Sequence, residues 1–292
     1  MKITKVLIAY DGSECGDAAL GQLRSAGLPE KAHAVVLSVV EHWLPPPSSL
    51  EIFKSVDYRQ EMLTLARRGA AMVGRFKPGW FTEPLVGFGS PAAVILEKAD
   101  EWGPDLIVVG SHGRTAAGRF LLGSVSQKLA HEARCSVRIA RGRPAEPGAP
   151  VRLVVGVDGS RGAEAAVSAM AGRLWPRGSE ARVVAALCRQ VQTTSDPTLA
   201  QIAEWIGKEN ARVTEAAESA VKKLLGVGLT TSLTAKEEDP KRLLLGEAEG
   251  WDADSIFVGA RGVGRLERAL IGSVSSAVAA RAHCSVEIVR AT

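Results

Sequence analysis

The residues best placed to do chemistry in this chain are glycines and serines, and they occur twice. Gly110-Ser111-His112-Gly113 is followed, after nine intervening residues, by Gly123-Ser124; Gly259-Ala260-Arg261-Gly262 is followed at the same spacing by Gly272-Ser273. Each set follows an apolar run, Leu106-Ile107-Val108-Val109 in one case and Ile256-Phe257-Val258 in the other. Each leads into an Ala-rich helical pattern and a short Cys-Ser-Val strand. A glycine-rich turn between a buried strand and a helix offers backbone N–H groups to an anion, and the helix dipole favours negative charge at the same place. The chemistry implied is phosphate binding, at two nucleotide-sized sites. Gly110 and Gly113 are expected to allow a tight turn with positive φ and a close backbone approach. Ser124 and Ser126 are expected to add hydroxyl donors.

The elements that must position these turns repeat as well. Leu7-Ile8-Ala9-Tyr10-Asp11-Gly12-Ser13 returns as Val154-Val155-Gly156-Val157-Asp158-Gly159-Ser160. Pro91 and Pro240 each stand at the same distance before their glycine turn, and Cys135-Ser136-Val137 returns as Cys284-Ser285-Val286. This is duplication of a whole domain, since short-period solenoids repeat every 20–50 residues or so. The expected domains are residues 1–141 and 151–292, joined by the linker 142–150, which holds Pro144, Pro147 and Pro150.

Each half alternates strands with helices, which implies parallel pairing through right-handed crossovers. The expected fold is α/β: two tandem five-stranded parallel Rossmann-like domains with strand order 3-2-1-4-5. Such a sheet takes its ligand beyond the carboxyl ends of the strands, where the order reverses. Asp11 ends the first strand and Gly110 the fourth, so this order brings them to one crevice. An Asp at that place can accept from a ribose or adenine donor, or act as the Asx-turn residue of Asp-Gly-Ser.

The 292 residues suit two domains, and 46% hydrophobic content suits two cores. A net charge of +4 with no long basic run gives no case for nucleic acid, and no window reads as a membrane span. The four cysteines form no C-x-x-C pair, and a cytoplasmic location is expected. The histidines lack metal-ligand spacing. His112 reads as an exposed loop residue; its counterpart is Arg261, so no general-base role is common to both copies. Arg119 and Arg268 share a place in the nine-residue inserts and could pair with phosphate, whereas Arg114 corresponds to Val263. Gly87-Phe88-Gly89-Ser90-Pro91-Ala92 imitates a dinucleotide fingerprint, but it follows the third strand and no ribose carboxylate stands about twenty residues on.

With its complete G-x-x-G-x9-G-S pattern in both halves, the chain resembles tandem universal stress protein domains of the ATP-binding class, over nearly its whole length. The resemblance implies an ATP-binding stress sensor or regulatory module with one nucleotide per domain, ATP carrying Mg2+, and at most very slow hydrolysis. It implies that Ala9, Tyr10, Asp11 and Val39 hold the adenosine part of the first nucleotide. Val109, Gly110, Gly113, Arg114, Gly123, Ser124, Val125 and Ser126 would hold its ribose and phosphates. The second set is Gly156, Val157, Asp158 and Ala186, then Val258, Gly259, Gly262, Gly272, Ser273, Val274 and Ser275. Pairing through the fifth strand, common in the family, implies an intramolecular pseudo-dimer, with a homodimer also open to it. The rival readings are an adenylyl-transfer or pyrophosphatase-type enzyme of the same fold, and a structural stress protein that binds no nucleotide. The first site is expected to bind more tightly, because Gly87 and Gly89 are replaced in the second half by Lys236 and Glu238 and Arg114 by Val263, with Lys236 and Arg261 offsetting part of the difference.

Overall fold

The structure is a computed structural model that describes residues 4–41, 58–112, 122–142, 146, 148–189, 197–262 and 271–291. The chain divides into two compact units, Lys2–Pro147 and Gly148–Thr292.

In the first unit β1 (Lys5–Ala9), α1 (Glu14–Gly21), β2 (His33–Val40), α2 (Tyr58–Phe76) and β3 (Phe81–Phe88) come first. They are followed by α3 (Pro91–Trp102), β4 (Leu106–Gly110), α4 (Ser124–Glu132) and β5 (Ser136–Ala140). The second unit runs β6 (Arg152–Val157), α5 (Arg161–Ala171), β7 (Glu180–Ala186), α6 (Pro197–Leu225) and β8 (Thr230–Lys236). It ends with α7 (Pro240–Gly250), β9 (Ser255–Gly259), α8 (Ser273–Arg281) and β10 (Ser285–Val289). Strand order is β3-β2-β1-β4-β5 in the first unit and β8-β7-β6-β9-β10 in the second. The pairings are parallel. The fold is therefore the doubly wound order 3-2-1-4-5 anticipated above, present twice.

The central strands are buried on both faces, so they are apolar at successive positions rather than at alternate ones. Val6, Leu7 and Ile8 of β1 and Leu106, Ile107 and Val108 of β4 are all closed to solvent. On one face Ile8, Leu23, Val36, Val73 and Val108 share a core; its counterpart holds Val155, Met170, Val183, Leu224 and Phe257. Each such side chain contributes roughly 1.5–3 kcal/mol of transfer free energy.

Polar clamps fix the register at the strand starts. Asp105, just before β4, accepts from the N–H groups of Thr4 and Lys5 at 2.7 and 2.9 Å. Asp254, before β9, accepts from the N–H of Arg152 at 2.7 Å. With the starts aligned, Ala9 pairs with Leu37 on one side and Val109 on the other. The segments carrying Asp11 and the glycine turn thus leave the sheet side by side.

Two helices start on a serine placed by the Asp-Gly-Ser turn. Ser13 Oγ accepts from Gly16 N at 3.0 Å and Ser160 Oγ from Ala163 N at 3.1 Å. Such caps are worth about 1 kcal/mol each. α1 stops at Gly21 and a single 3-10 turn, Gln22–Arg24, follows.

Candidate functional site: a cavity at the switch point of each unit

A cavity of about 640 Å³ opens beyond the strand ends of the first unit. Ala9, Tyr10 and Asp11 border it from β1, Val39 from β2, and Val109 and Gly110 from β4. Gly123, Ser124, Val125 and Ser126 border it from the start of α4. The second unit has a cavity of about 520 Å³ in the corresponding place. Gly156, Val157 and Asp158, Ala186, and Val258 and Gly259 line it from the strand ends. Gly262 follows, and Gly272, Ser273, Val274 and Ser275 complete it from α8. All candidate site residues that the structure describes therefore gather at these two cavities. Gly113 and Arg114, with Arg119, Val263 and Arg268, lie outside the described residues.

The helix starts carry the main electrostatic feature. α4 and α8 begin on Gly123 and Gly272, and no side chain caps either helix. The N–H of each glycine is used inside the loop, on Ser111 O at 2.8 Å and Ala260 O at 2.7 Å. The next three N–H groups of a helix have no acceptor within it. Here they border a cavity, with the positive end of the helix dipole behind them.

Four expectations change. Gly110 and Gly259 are not in the left-handed region; the positive φ values fall on Gly12 and Gly159, at 73° and 71°. Those two make the Asp-Gly-Ser turn, while Gly110 and Gly259 end their strands in extended backbone. Their smallness serves close packing instead. A Cβ on Gly259 would overlap the backbone of Gly162 in α5, whereas one on Gly110 would lie 3.1 Å from the carbonyl oxygen of Cys15.

Second, the Ser126 hydroxyl is not turned to a ligand. It is buried and donates to the carbonyl of Gly110 at 2.6 Å, as Ser275 does to Gly259 at 2.5 Å. Its single proton is thereby committed, and it ties the helix start to the strand end. The hydroxyl donors left to each cavity wall from this motif are Ser124 and Ser273.

Third, Asp11 is the Asx-turn residue, and it stands at the cavity wall. Its Oδ1 accepts from Ser13 N at 3.0 Å and Ser13 Oγ at 2.6 Å, while the residue borders the cavity. Asp158 likewise accepts from Ser160 N at 3.0 Å. The turn orients the carboxylate toward the crevice.

Fourth, His112 is not an exposed loop residue. It lines the first cavity, its Nδ1 meets Ser111 Oγ at 3.0 Å, and its Nε2 is buried without a partner among the described residues. Burial, and then the nearby Arg141 charge, hold its pKa below the ordinary value.

Other wall residues come from elements that motif spacing does not reach. Met62 from α2 and Pro91 and Ile95 from α3 close the first cavity. Glu209, Asn210 and Val213 from α6, and Leu243 and Leu244 from α7, close the second. Asn210 clasps the backbone of Cys188, accepting from its N–H at 2.8 Å and donating to its carbonyl at 2.9 Å. Arg212 donates to the carbonyls of Asp158 and Gly159 at 2.9 and 2.8 Å and is held by Glu209. The first unit uses a different lock: Tyr10 donates to Asp17 at 2.5 Å and Arg68 pairs with the same carboxylate at 2.6 Å. The dinucleotide-like run is explained by packing, because a Cβ on Gly87 would overlap Val94 of α3.

Two doubly wound parallel α/β units, each with a glycine-started helix and a cavity at its switch point, define a tandem α/β architecture. Comparison with known proteins makes this specific. The model of the universal stress protein family matches residues 2–141 and 151–290, so the chain belongs to the universal stress protein family, with two such domains in tandem. A universal stress protein of Mycobacterium tuberculosis is 30% identical over 301 residues, covering 98% of this chain and 96% of the relative. One from Thermus aquaticus is 34% identical over 138 residues; the match takes 47% of this chain and 97% of that protein. Among solved structures, a universal stress protein from Archaeoglobus fulgidus superposes with a TM-score of 0.68 at 19% identity, covering 99% of both chains. No helix among the described residues is long and apolar enough to cross a membrane.

Proposed function

We propose that each unit binds one molecule of ATP and that the chain acts as a nucleotide-responsive regulator in the stress response. The observation that carries this reading is the repeated helix start: a glycine with no side-chain cap, at the switch point, beside a cavity. Elsewhere in the chain, α1, α5 and α7 spend a Ser or Asp on the same N–H groups. Leaving them open costs about 1 kcal/mol of capping energy per helix, which an anionic ligand returns.

The walls suit the other parts of a nucleotide. The volumes fall within the roughly 300–1,000 Å³ usual for small-molecule sites. Leu37, Val39 and Ile95 in the first cavity, and Val184, Leu243 and Leu244 in the second, offer apolar faces to a flat base. Asp11 and Asp158 suit ribose hydroxyls, which donate. The first turns of α4 and α8 suit phosphate oxygens, which only accept. Gly113 and Arg114 would act with them by analogy of motif. Mg2+ would arrive on the nucleotide, since among the described residues no group of three His, Cys, Asp or Glu is arranged to hold a metal. Rapid hydrolysis is not part of this reading, because Asp11 and Asp158 serve as turn acceptors rather than as bases. Free cysteines accord with a reducing cytoplasm.

The test is to denature the purified full chain and identify the released nucleotide, then titrate the emptied, refolded chain with ATP. Two ATP per chain at saturation is the expected result. Absence of adenine nucleotide in the release, together with no ATP binding at millimolar concentration, would overturn the reading. Accumulation of AMP and pyrophosphate would favour an adenylyl-transfer or pyrophosphatase-type enzyme instead.

A further inference from the structure

The two cavities differ at the middle of the glycine turn, where the first carries His112 and the second Arg261. The two hold the same place in the spacing but differ in chemistry. A guanidinium keeps its charge throughout the accessible pH range, whereas an imidazole changes charge near neutrality. His112 is also incomplete as it stands. One ring nitrogen meets the Ser111 hydroxyl, and the other, buried, has no partner among the described residues. The residue borders the same crevice as the start of α4, where phosphate oxygens are expected.

We propose that the His112 imidazole is a phosphate-side group of the first cavity, and that it gives nucleotide binding there a proton linkage that Arg261 does not give the second. This inference rests on reading both cavities as nucleotide sites.

The surrounding charges set the sign. Asp11 from β1 and Glu41 after β2 border the same cavity, and Arg141 after β5 acts on the ring. Among the described residues the remaining wall brings no formal charge: Tyr10, Gly16 from α1, Met62 from α2, Pro91 and Ile95 from α3, and Ser124 to Ser126 from α4. In the empty cavity burial and Arg141 hold the imidazole neutral to a lower pH than usual. A bound phosphate near the ring opposes both effects and raises the pKa. Binding therefore takes up a proton. Affinity at the first cavity is lowest above the pKa of the bound state, rises as pH falls through it, and levels off below the pKa of the empty state. Arg261 has no such transition.

Two measurements on the full chain test this. In the first, ATP is titrated calorimetrically between about pH 5 and pH 8 into Gly272→Asp protein, which leaves the first cavity intact, with and without His112→Gln. The ratio of the two affinities at each pH cancels the titration of ATP itself and of Asp11 and Glu41. It is expected to grow about tenfold on acidification, the change that one unit of pKa shift produces. In the second, the His112 imidazole resonance of the wild-type chain is followed against pH with and without ATP, and its midpoint is expected to move upward on binding. Parallel pH profiles with and without the His112→Gln substitution, or an unmoved imidazole midpoint in the ATP-saturated chain, would overturn the inference while leaving ATP binding in place. Failure of ATP to bind at any pH would instead remove the nucleotide reading, and this inference with it.

Discussion

The two units share a motif, a strand order and a cavity, yet they hold that cavity open in different ways. In the first unit the end of β1 is locked by Tyr10, Asp17 and Arg68. In the second, Val157 stands in place of Tyr10, and Arg212 from α6 grips the Asp158-Gly159 backbone from outside. The helix after β1 also sits differently against the glycine turn. Gly162 brings α5 so close to β9 that Gly259 has no room for a Cβ, whereas Cys15 occupies that place in α1 and leaves Gly110 some slack. What both copies keep is the uncapped helix start and the serine that ties it to the strand. What has drifted is scaffolding. The residues proposed for the anion are thus distinct from those that hold the fold.

The largest expected effect comes from this packing difference. Gly259→Ala pushes a methyl group into backbone, which cannot swing aside as a side chain can. It is expected to cost about 3 kcal/mol or more, at the upper end for overpacking, and Gly110→Ala about 1 kcal/mol. Urea denaturation midpoints of the two variants check this. Equal shifts would mean that the two helix approaches are equivalent in solution. The same geometry disqualifies Gly259→Val as a way to silence the second cavity, since the unit itself would suffer.

The Tyr10 lock gives the next effect, confined to the first unit. Tyr10 is buried, and desolvation, followed by its bond to Asp17, pushes its pKa from 10.0 to about 12. A group whose folded pKa is raised binds its proton more tightly in the folded state. Its stabilisation is therefore complete below about pH 10 and is lost as pH climbs toward 12, with a ceiling of about 2–3 kcal/mol. Tyr10→Phe is expected to lower stability by about 1 kcal/mol at neutral pH but to flatten the alkaline loss in the first unit. An alkaline slope unchanged in Tyr10→Phe would assign it elsewhere.

The third effect tests the helix start. Gly272 has φ −69° and ψ 156°, ordinary values for a capping residue, and a Cβ there meets nothing closer than 3.5 Å. Gly272→Asp therefore fits. Its carboxylate can accept from the same N–H groups proposed for phosphate, so stability is expected to hold or rise by a few tenths of a kcal/mol. ATP affinity at the second cavity is expected to fall at least tenfold, about 1.4 kcal/mol. A folded Gly272→Asp chain that still binds two ATP with unchanged constants would break the phosphate assignment.

Much of this is legible in the sequence because it is local. Apolar runs, the Asp-Gly-Ser turn, Pro at helix starts and the G-x-x-G-x9-G-S spacing are read within a few residues, and duplication repeats each signal. The crevice follows from strand order. The parts that escape are set by tertiary approach. Nothing near Ser126 announces that its hydroxyl turns inward to Gly110, and nothing near Asn210 announces that α6 carries it to Cys188. The glycine turn suggests positive φ because isolated loops use glycine that way; close helix packing uses its missing Cβ instead. His112 reads wrongly as exposed because burial inside a loop leaves no periodic trace.

The smallest effect concerns the expected weakness of the second cavity, and the structure sharpens its cause. Gly87 and Gly89 do not border the first cavity, so crowding is not the relevant contrast. Lys236 is occupied: it pairs with Glu247 at 2.7 Å and, with Arg182, holds that carboxyl below its usual range. It therefore offsets little. Glu209 borders the cavity but is paired with Arg212. Glu238 also borders it and is paired among the described residues with Arg242, 3.8 Å away and with most of its side chain in solvent. Glu238 is thus a wall carboxylate whose charge is weakly compensated by that exposed partner. Being partly exposed, it acts through screened, water-rich surroundings, and effects of that kind run to about 0.5 kcal/mol. Glu238→Gln, measured in a Gly123→Asp chain so that only the second cavity reports, is expected to raise ATP affinity about two- to threefold at low salt. The gain is expected to shrink as salt is added, because screening removes the repulsion the substitution was meant to remove. A Glu238→Gln chain with unchanged affinity at low salt would show that this side chain turns away from the phosphates and does not weaken the second cavity.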